Sequence, residues 1–199
     1  MTIYILENAE MPWGDYGDIL FSGMTSHLSR KGGYLQLERT GPFVPPITTS
    51  GIGNVVVTEE FKKQLQLSGM SGLRFQPVIK THIVQLEWEQ WDKTASEPPE
   101  YPQSGKPEDY ILERSHSPEL AEAIGNLWEV QLQEHAEIER IQIGINSWEV
   151  DPHIVLSSWD ETDWFKAKSV RYTYLSQKAK NWLAEHVSEY VKFKSASTL

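Results

Sequence analysis

Two stretches of the chain share one succession of apolar and polar positions. In NVVVTEEFKKQLQLSGMSGLRFQPV, residues 54–78, the β-branched run Val55–Val57 predicts a strand. Thr58 stands where a hydroxyl caps a helix, and Glu59 and Glu60 suit its first turn, where the backbone dipole favours negative charge. Phe61 and Leu65 share one helical face, and Gly69 and Gly72 end the helix and turn the chain. Leu73, Phe75 and Val78 begin a second extended piece, which Pro77 ends or confines to a sheet edge.

Residues 171–193, RYTYLSQKAKNWLAEHVSEYVKF, repeat the plan. Tyr172, Tyr174 and Leu175 predict a strand and Ser176 a cap. Ala179, Trp182, Leu183 and Val187 mark a helical face, and Tyr190, Val191 and Phe193 a returning strand. At an offset of 118 residues the stretches align without a gap, placing Thr58 on Ser176, Leu65 on Leu183, Arg74 on Lys192 and Phe75 on Phe193. A lone unit of this kind cannot cover its own apolar face, so two copies, or one copy and a sheet, are expected to close on each other.

Elsewhere the alternation in 34–37 (YLQL) and 81–91 (THIVQLEWEQW) predicts strands, the second with Val84, Leu86 and Trp88 on one side and Glu87 and Glu89 exposed on the other. EPPEYPQSGKP, 97–107, has four prolines and a glycine and predicts a surface loop, with a domain boundary there as the alternative to one domain. Ser117, Pro118 and Glu119 open the longest expected helix, 117–137, with the apolar stripe Leu120, Ile124, Leu127 and Trp128. Ile141, Ile143 and Ile145 predict a strand, and INSWEVDPH a turn into another at Ile154–Leu156. The expectation is one α+β domain over 1–199, its two similar units packed on a largely antiparallel sheet.

Charge divides the chain unevenly. Of 199 residues, 18 are Lys or Arg and 28 are Asp or Glu, a net of -10. Residues 1–80 carry 7 cations and 7 acids, 81–163 carry 4 and 19, and 164–199 carry 7 and 2, so the segments hold 0, -15 and +5. The acidic central section, 81–163, is either a solvated surface or a face for a cationic partner. An acidic chain is a poor general binder of nucleic acid, since phosphate neutralisation needs an excess of cations. With no cysteine, a disulfide framework, a thiolate metal site and a Cys nucleophile are excluded. The start, MTIYILENAE, lacks the basic and long apolar regions of a secretory signal, and no run of about 18 apolar residues occurs, so no membrane association and a cytoplasmic location are expected.

The succession of strand, cap, helix, small-residue turn and G-L-R-F-x-P-V followed by an alternating strand resembles the bacterial immunity proteins of polymorphic toxin systems. The matching segments are VVVTEEFKKQLQLSGMSGLRFQPV and IVLSSWDETDWFKAKSVRYTYLSQKAKNWLAEHVSEYVKF, with Asp160, Phe165, Ser176, Leu183 and Phe193 at expected places. The likeness covers 54–92 and 154–193. It is a pattern of structural positions, implies an immunity role and carries no catalytic residue.

Catalytic motifs are sparse. GIGN, 51–54, precedes a strand and lacks the third glycine of a dinucleotide loop, so its glycines are turn residues. His27, His82, His116, His135, His153 and His186 show no metalloprotease spacing. Ser115 and Ser117 flank His116, but capping by Ser117 explains the pair. Two segments pair carboxylates with tryptophan, EWEQWD at 87–92 and SWDETDW at 158–164. Either the tryptophans are core side chains with the acids outward, or they form an interface in which charge steers encounter and aromatics anchor. On the second reading Glu87, Glu89, Asp92, Asp160, Glu161 and Asp163 meet the basic residues of a cognate toxin, and Trp91 or Trp159 anchors. This predicts a binding protein with no catalytic residue, no cofactor and no metal. The alternative is a small hydrolase or metal-dependent enzyme assembled from scattered His and carboxylates, and a third reading is a scaffold using its proline-rich loops.

Overall fold

The computed structural model describes residues 2–50, 53–144, 146 and 150–199, and of residues 26–29 the backbone alone. Its strands and helices in chain order are β1 (Tyr4–Asn8), α1 (Asp15–Ser22), β2 (Met24–Lys31), β3 (Tyr34–Gly41), β4 (Ile47–Ser50), β5 (Asn54–Thr58), α2 (Glu59–Leu67), β6 (Arg74–Pro77), β7 (Ile79–Gln85), α3 (Asp109–Leu112), α4 (Pro118–Ala123), β8 (Leu127–Gln131), β9 (Glu134–Ala136), β10 (Ile138–Gln142), β11 (Val150–Ile154), β12 (Trp164–Ala167), β13 (Tyr174–Leu175), α5 (Gln177–His186) and β14 (Val191–Ser195). This is a mixed α+β fold with several mostly antiparallel sheets where the sequence suggested one.

The repeated pattern is a repeated topology. One sheet runs β4-β5-β8-β6, and another contains the succession β12-β13-β1-β14, with β9 added beside β12. In each, a hairpin leads through a helix to a return strand, and a strand from elsewhere in the chain lies antiparallel between the two ends of the unit. That strand is β8 in one unit and β1 in the other. The 118-residue offset survives in detail. Thr58 accepts from the Phe61 N–H at 3.3 Å and Ser176 from the Ala179 N–H at 3.1 Å, so both hydroxyls cap as expected. Phe75 pairs with Val130, and Phe193 with Leu6. Pro77 lies on the edge strand β6, where its missing N–H costs no ladder bond.

The units close on each other. One core cluster takes Phe61 and Leu65 from α2, Ala179 and Leu183 from α5, Leu6 from β1, Val130 from β8 and Trp164 from β12. The Phe61 and Trp182 rings lie 5.7 Å apart across the helix pair. The turn after α2 also docks on the start of β12, where the Trp164 N–H donates to the Ser71 carbonyl at 3.2 Å. A third sheet, β2-β3-β7, covers the other face of β5 and β8 through Leu35, Leu37, Val56 and Leu127. The strands β10 and β11 form a separate antiparallel hairpin.

Three sequence expectations fail on local grounds. The helix over 117–137 stops at Ala123, and Gly125 takes φ +71°. Residues 127–131 form β8 instead, because that segment fills the slot between β5 and β6 and satisfies both edges; the longest helix is α5. The strand over 81–91 ends at Gln85, and Trp88–Gln90 make one 3-10 turn that buries Trp88, so Glu87 precedes the turn, Glu89 lies within it, and the two do not share a strand face. In the third case β10 ends at Gln142, leaving Ile143 exposed, and β11 ends at Ile154, before a 3-10 turn at Leu156–Ser158. Ile145, part of INSWEVDPH and the first half of GIGN lie outside the described residues. Among those residues no helix is long and apolar enough to cross a membrane.

Candidate functional site

An acidic, aromatic face is built by α1 and by the 86–117 excursion between β7 and α4. Beyond Gln85 the chain leaves the sheet, and the 3-10 turn drives Trp88 into a cluster with Leu20, Phe21 and Tyr110. Trp13 at φ +69° and Gly14 at φ +58° turn the chain into α1. The excursion is stitched to α1 by the Trp13 indole N–H, which donates to the Ala95 carbonyl at 3.0 Å, and by the Tyr16 hydroxyl, which donates to the Gly105 carbonyl at 2.6 Å. The proline-rich loop is thus fastened to the start of α1.

The stitching assembles a run of rings. Trp13 lies 5.9 Å from Trp91, Trp91 6.0 Å from Tyr110, Tyr110 6.1 Å from Tyr16, and Tyr16 5.0 Å from Tyr101. Trp13, Tyr16 and Trp91 are half-buried and Tyr101 is exposed. Carboxylates surround them. The excursion holds eight acids, Glu87, Glu89, Asp92, Glu97, Glu100, Glu108, Asp109 and Glu113, against Lys93, Lys106 and Arg114. Arg114 pairs with Glu100 at 2.9 Å, while Glu89 and Glu97 have no ion pair among the described residues. On α1, burial and then the Asp15 charge push the Asp18 carboxyl above its ordinary value, with Glu10 adding to the effect. Burial, Glu189 and Glu89 raise Tyr190. Burial is the largest cause of both shifts, and the neighbouring carboxylates add to it.

The second predicted segment behaves differently. Trp159 stacks on Phe165 with ring centres 5.5 Å apart, and its indole N–H donates to the Thr162 carbonyl at 3.1 Å. Asp160 accepts from the Thr162 N–H at 3.1 Å and hydroxyl at 2.6 Å, and lies 2.7 Å from His135 Nδ1; these bonds hold its carboxyl below the ordinary range. Glu161 is exposed at φ +66°. Asp163 requires a correction: it is buried and faces inward. It accepts from the Ser71 N–H at 3.0 Å, the Ser71 hydroxyl at 3.2 Å, the Ser176 hydroxyl at 2.7 Å and Lys178 at 3.0 Å. The residue therefore clamps the turn after α2 to the cap of α5, joining the two units. Beside it an open cavity of about 490 Å³ is lined by Trp159, Glu161, Gln177 and Lys178.

Burial opposes ionisation of Asp163, but the bonds from Ser71, Ser176 and Lys178 outweigh it and hold the carboxyl below its ordinary value of 3.8. A depressed folded-state value contributes stability above the unfolded one, lost as pH falls through the folded one. Asp163→Asn is thus expected to cost about 2 kcal/mol at neutral pH, and this gap to the unsubstituted chain is expected to narrow below about pH 4. Urea denaturation at pH 7 and pH 3 measures it.

Two histidines lie together, the His82 and His116 rings 5.9 Å apart, and the other described ones sit elsewhere. His82 Nε2 lies 2.8 Å from the Arg114 carbonyl, His116 Nδ1 accepts from the Ile83 N–H at 2.9 Å, and His153 Nε2 pairs with Asp151 at 3.1 Å. His186 stacks on Trp182, and the His27 side chain is outside the described set. Ser117 caps α4, accepting from the Leu120 N–H at 3.2 Å. Among the described residues no three His, Asp or Glu side chains are grouped to hold a metal ion.

Of the predicted residues, the structure brings Glu87, Glu89, Trp91 and Asp92 into the ring-bearing face and sets Trp159, Asp160 and Glu161 against a different cluster. Sequence reasoning missed Trp13, Tyr16 and Tyr101. The signal available for two of them was the i,i+3 spacing of Trp13 and Tyr16 around Gly14 and Asp15. Fold and face together define an α+β protein with two split strand–helix–strand units and an acidic, aromatic surface. No protein-family model matches the chain, and no curated protein matches it.

Proposed function

We propose that the chain is an immunity protein, a cytoplasmic binding module that neutralises a cognate bacterial toxin by covering a basic active-site surface of that toxin. The observation that carries this reading is the run of rings from Trp13 to Tyr101, held rigid by the two side-chain bonds to the excursion and bordered by Glu87, Glu89 and Glu97. Rigid aromatics with few rotatable bonds are efficient anchors, and surrounding carboxylates speed encounter with a cationic surface and reject anionic ones. The resemblance of 54–92 and 154–193 to immunity proteins supports the same reading. Glu87, Glu89 and Asp92 lead the encounter, and Trp91 and Tyr101 supply contact area. Co-expression with the product of the gene immediately upstream tests it. Growth arrest by that product alone, relieved by this chain, is the expected result. A harmless neighbour, or arrest that this chain does not relieve, contradicts the proposal.

A further inference from the structure

A second surface has the opposite sign. Arg30 on β2, Arg74 on β6 and Lys166 on β12 converge on a cavity of about 260 Å³ at one end of the β4-β5-β8-β6 sheet, with Asn54, Gln131 and Gln133 also in its lining. One carboxylate reaches it. Glu129, buried on β8, holds Arg30 by two bonds of 2.5 and 2.9 Å, which fixes that guanidinium in place and neutralises it. The remaining cations have no ion-pair partner among the described residues. Among the described residues Arg74 makes no side-chain bond, and half-buried Lys166 donates only to the Gly53 carbonyl, at 3.1 Å. Burial is the largest cause that lowers the ammonium's proton affinity; the Glu129 charge opposes it, and the Arg30 and Arg171 charges add to it. Arg30, Arg74 and Lys166 against Glu129 leave an excess of two positive charges around a polar cavity, in a chain whose net charge is -10.

Like charges held together on a folded surface repel one another, and an anion between them removes that repulsion while gaining charge-assisted bonds. We infer that this cavity is a binding site for a small phosphate-bearing molecule, with half-buried Lys166 and exposed Arg74 as its cations and Gln131, Gln133 and Asn54 as amide partners for the group attached to the phosphate. The charge matches a phosphate dianion better than a single carboxylate, and the volume exceeds that of the free ion, leaving room for a substituent. The site is independent of the acidic face.

The test is thermal denaturation and titration calorimetry of the full chain with inorganic phosphate and, in a parallel arm, with a nucleoside monophosphate, each against sodium chloride of equal ionic strength. A phosphate compound at ten times its Kd is expected to raise the melting temperature by about 3–5 °C over the chloride control. Tighter binding of the nucleoside monophosphate assigns the ligand to esters with a substituent; equal binding assigns it to the phosphate group alone. Arg74→Gln, at an exposed position without a partner, is expected to weaken binding at least about tenfold with an unchanged melting temperature in chloride, and Lys166→Met to abolish it. A control at Glu97→Lys, on the other face, is expected to bind as the unsubstituted chain does. No response beyond chloride, or an undiminished response in Arg74→Gln, overturns the assignment.

Discussion

Replacing Gly72 by alanine is expected to destabilise the protein by about 3 kcal/mol or more, lowering the melting temperature by roughly 6–12 °C. Gly72 sits at φ +85°, and a Cβ built there would lie 2.0 Å from the Trp164 carbonyl oxygen and 2.6 Å from Thr162 Cγ2. The Thr162 methyl can turn aside. The carbonyl cannot, because Trp164 is fully buried in the shared core and its N–H is bonded to Ser71 in the same turn. The backbone penalty and the collision therefore add at the seam between the two units. Gly69→Ala separates them: its φ is +67° but nothing lies within 4 Å, so only the backbone term, about 1 kcal/mol, is expected. Equal losses in the two variants, read by thermal denaturation, would mean that the turn is not docked on β12.

Reversing Glu87, Glu89 and Glu97 to lysine together is expected to weaken the proposed complex with a toxin about 100-fold or more, chiefly through slower association, while leaving the melting temperature within a few degrees. Among the described residues Glu89 and Glu97 make no side-chain bond, and Glu87 bonds only the exposed amides of Gln85 and Gln90, at 3.0 and 2.8 Å, so the fold loses little. Each reversal replaces an attraction by a repulsion at the rim of an interface, where charges act on encounter more than on residence. Trp91→Ala is the complementary change. Its ring touches Trp13 and Tyr110, so faster dissociation is expected with association largely preserved. Surface plasmon resonance separates the two rates, and a triple variant that associates as fast as the unsubstituted chain would remove the acidic face from the mechanism.

The parts of the fold that were legible in the sequence are those written in local chemistry. Thr58 and Ser176 cap their helices because a hydroxyl followed by a helical apolar face has few other uses, and Leu65 and Leu183 are buried because the amphipathic spacing leaves them no other side. What failed was decided by distant chain. Leu120, Ile124, Leu127 and Trp128 have helical spacing, yet the vacancy between β5 and β6 claims Leu127–Gln131 as a strand, a demand made by residues 50 and more positions away. The strand at 81–91 ended early because Trp88 found its pocket against α1, not on the sheet. At the candidate site, the acids and Trp91 were readable from composition. The inward turn of Asp163 was not, since its partners Ser71 and Ser176 lie on two other loops. The cationic cavity was invisible for the same reason, its members being scattered from Arg30 to Lys166.

The most direct test of the central claim, that this molecule acts by presenting negative charge and aromatic rings to a basic protein, is the affinity for the upstream-encoded protein measured across a salt series. Screening at physiological ionic strength reaches about 8 Å and shortens to about 3 Å at 1 M. The account predicts a dissociation constant that rises steeply with salt through a falling association rate, with the slope reduced in the triple lysine variant. A tight complex indifferent to salt, with the same slope in both proteins, would contradict it.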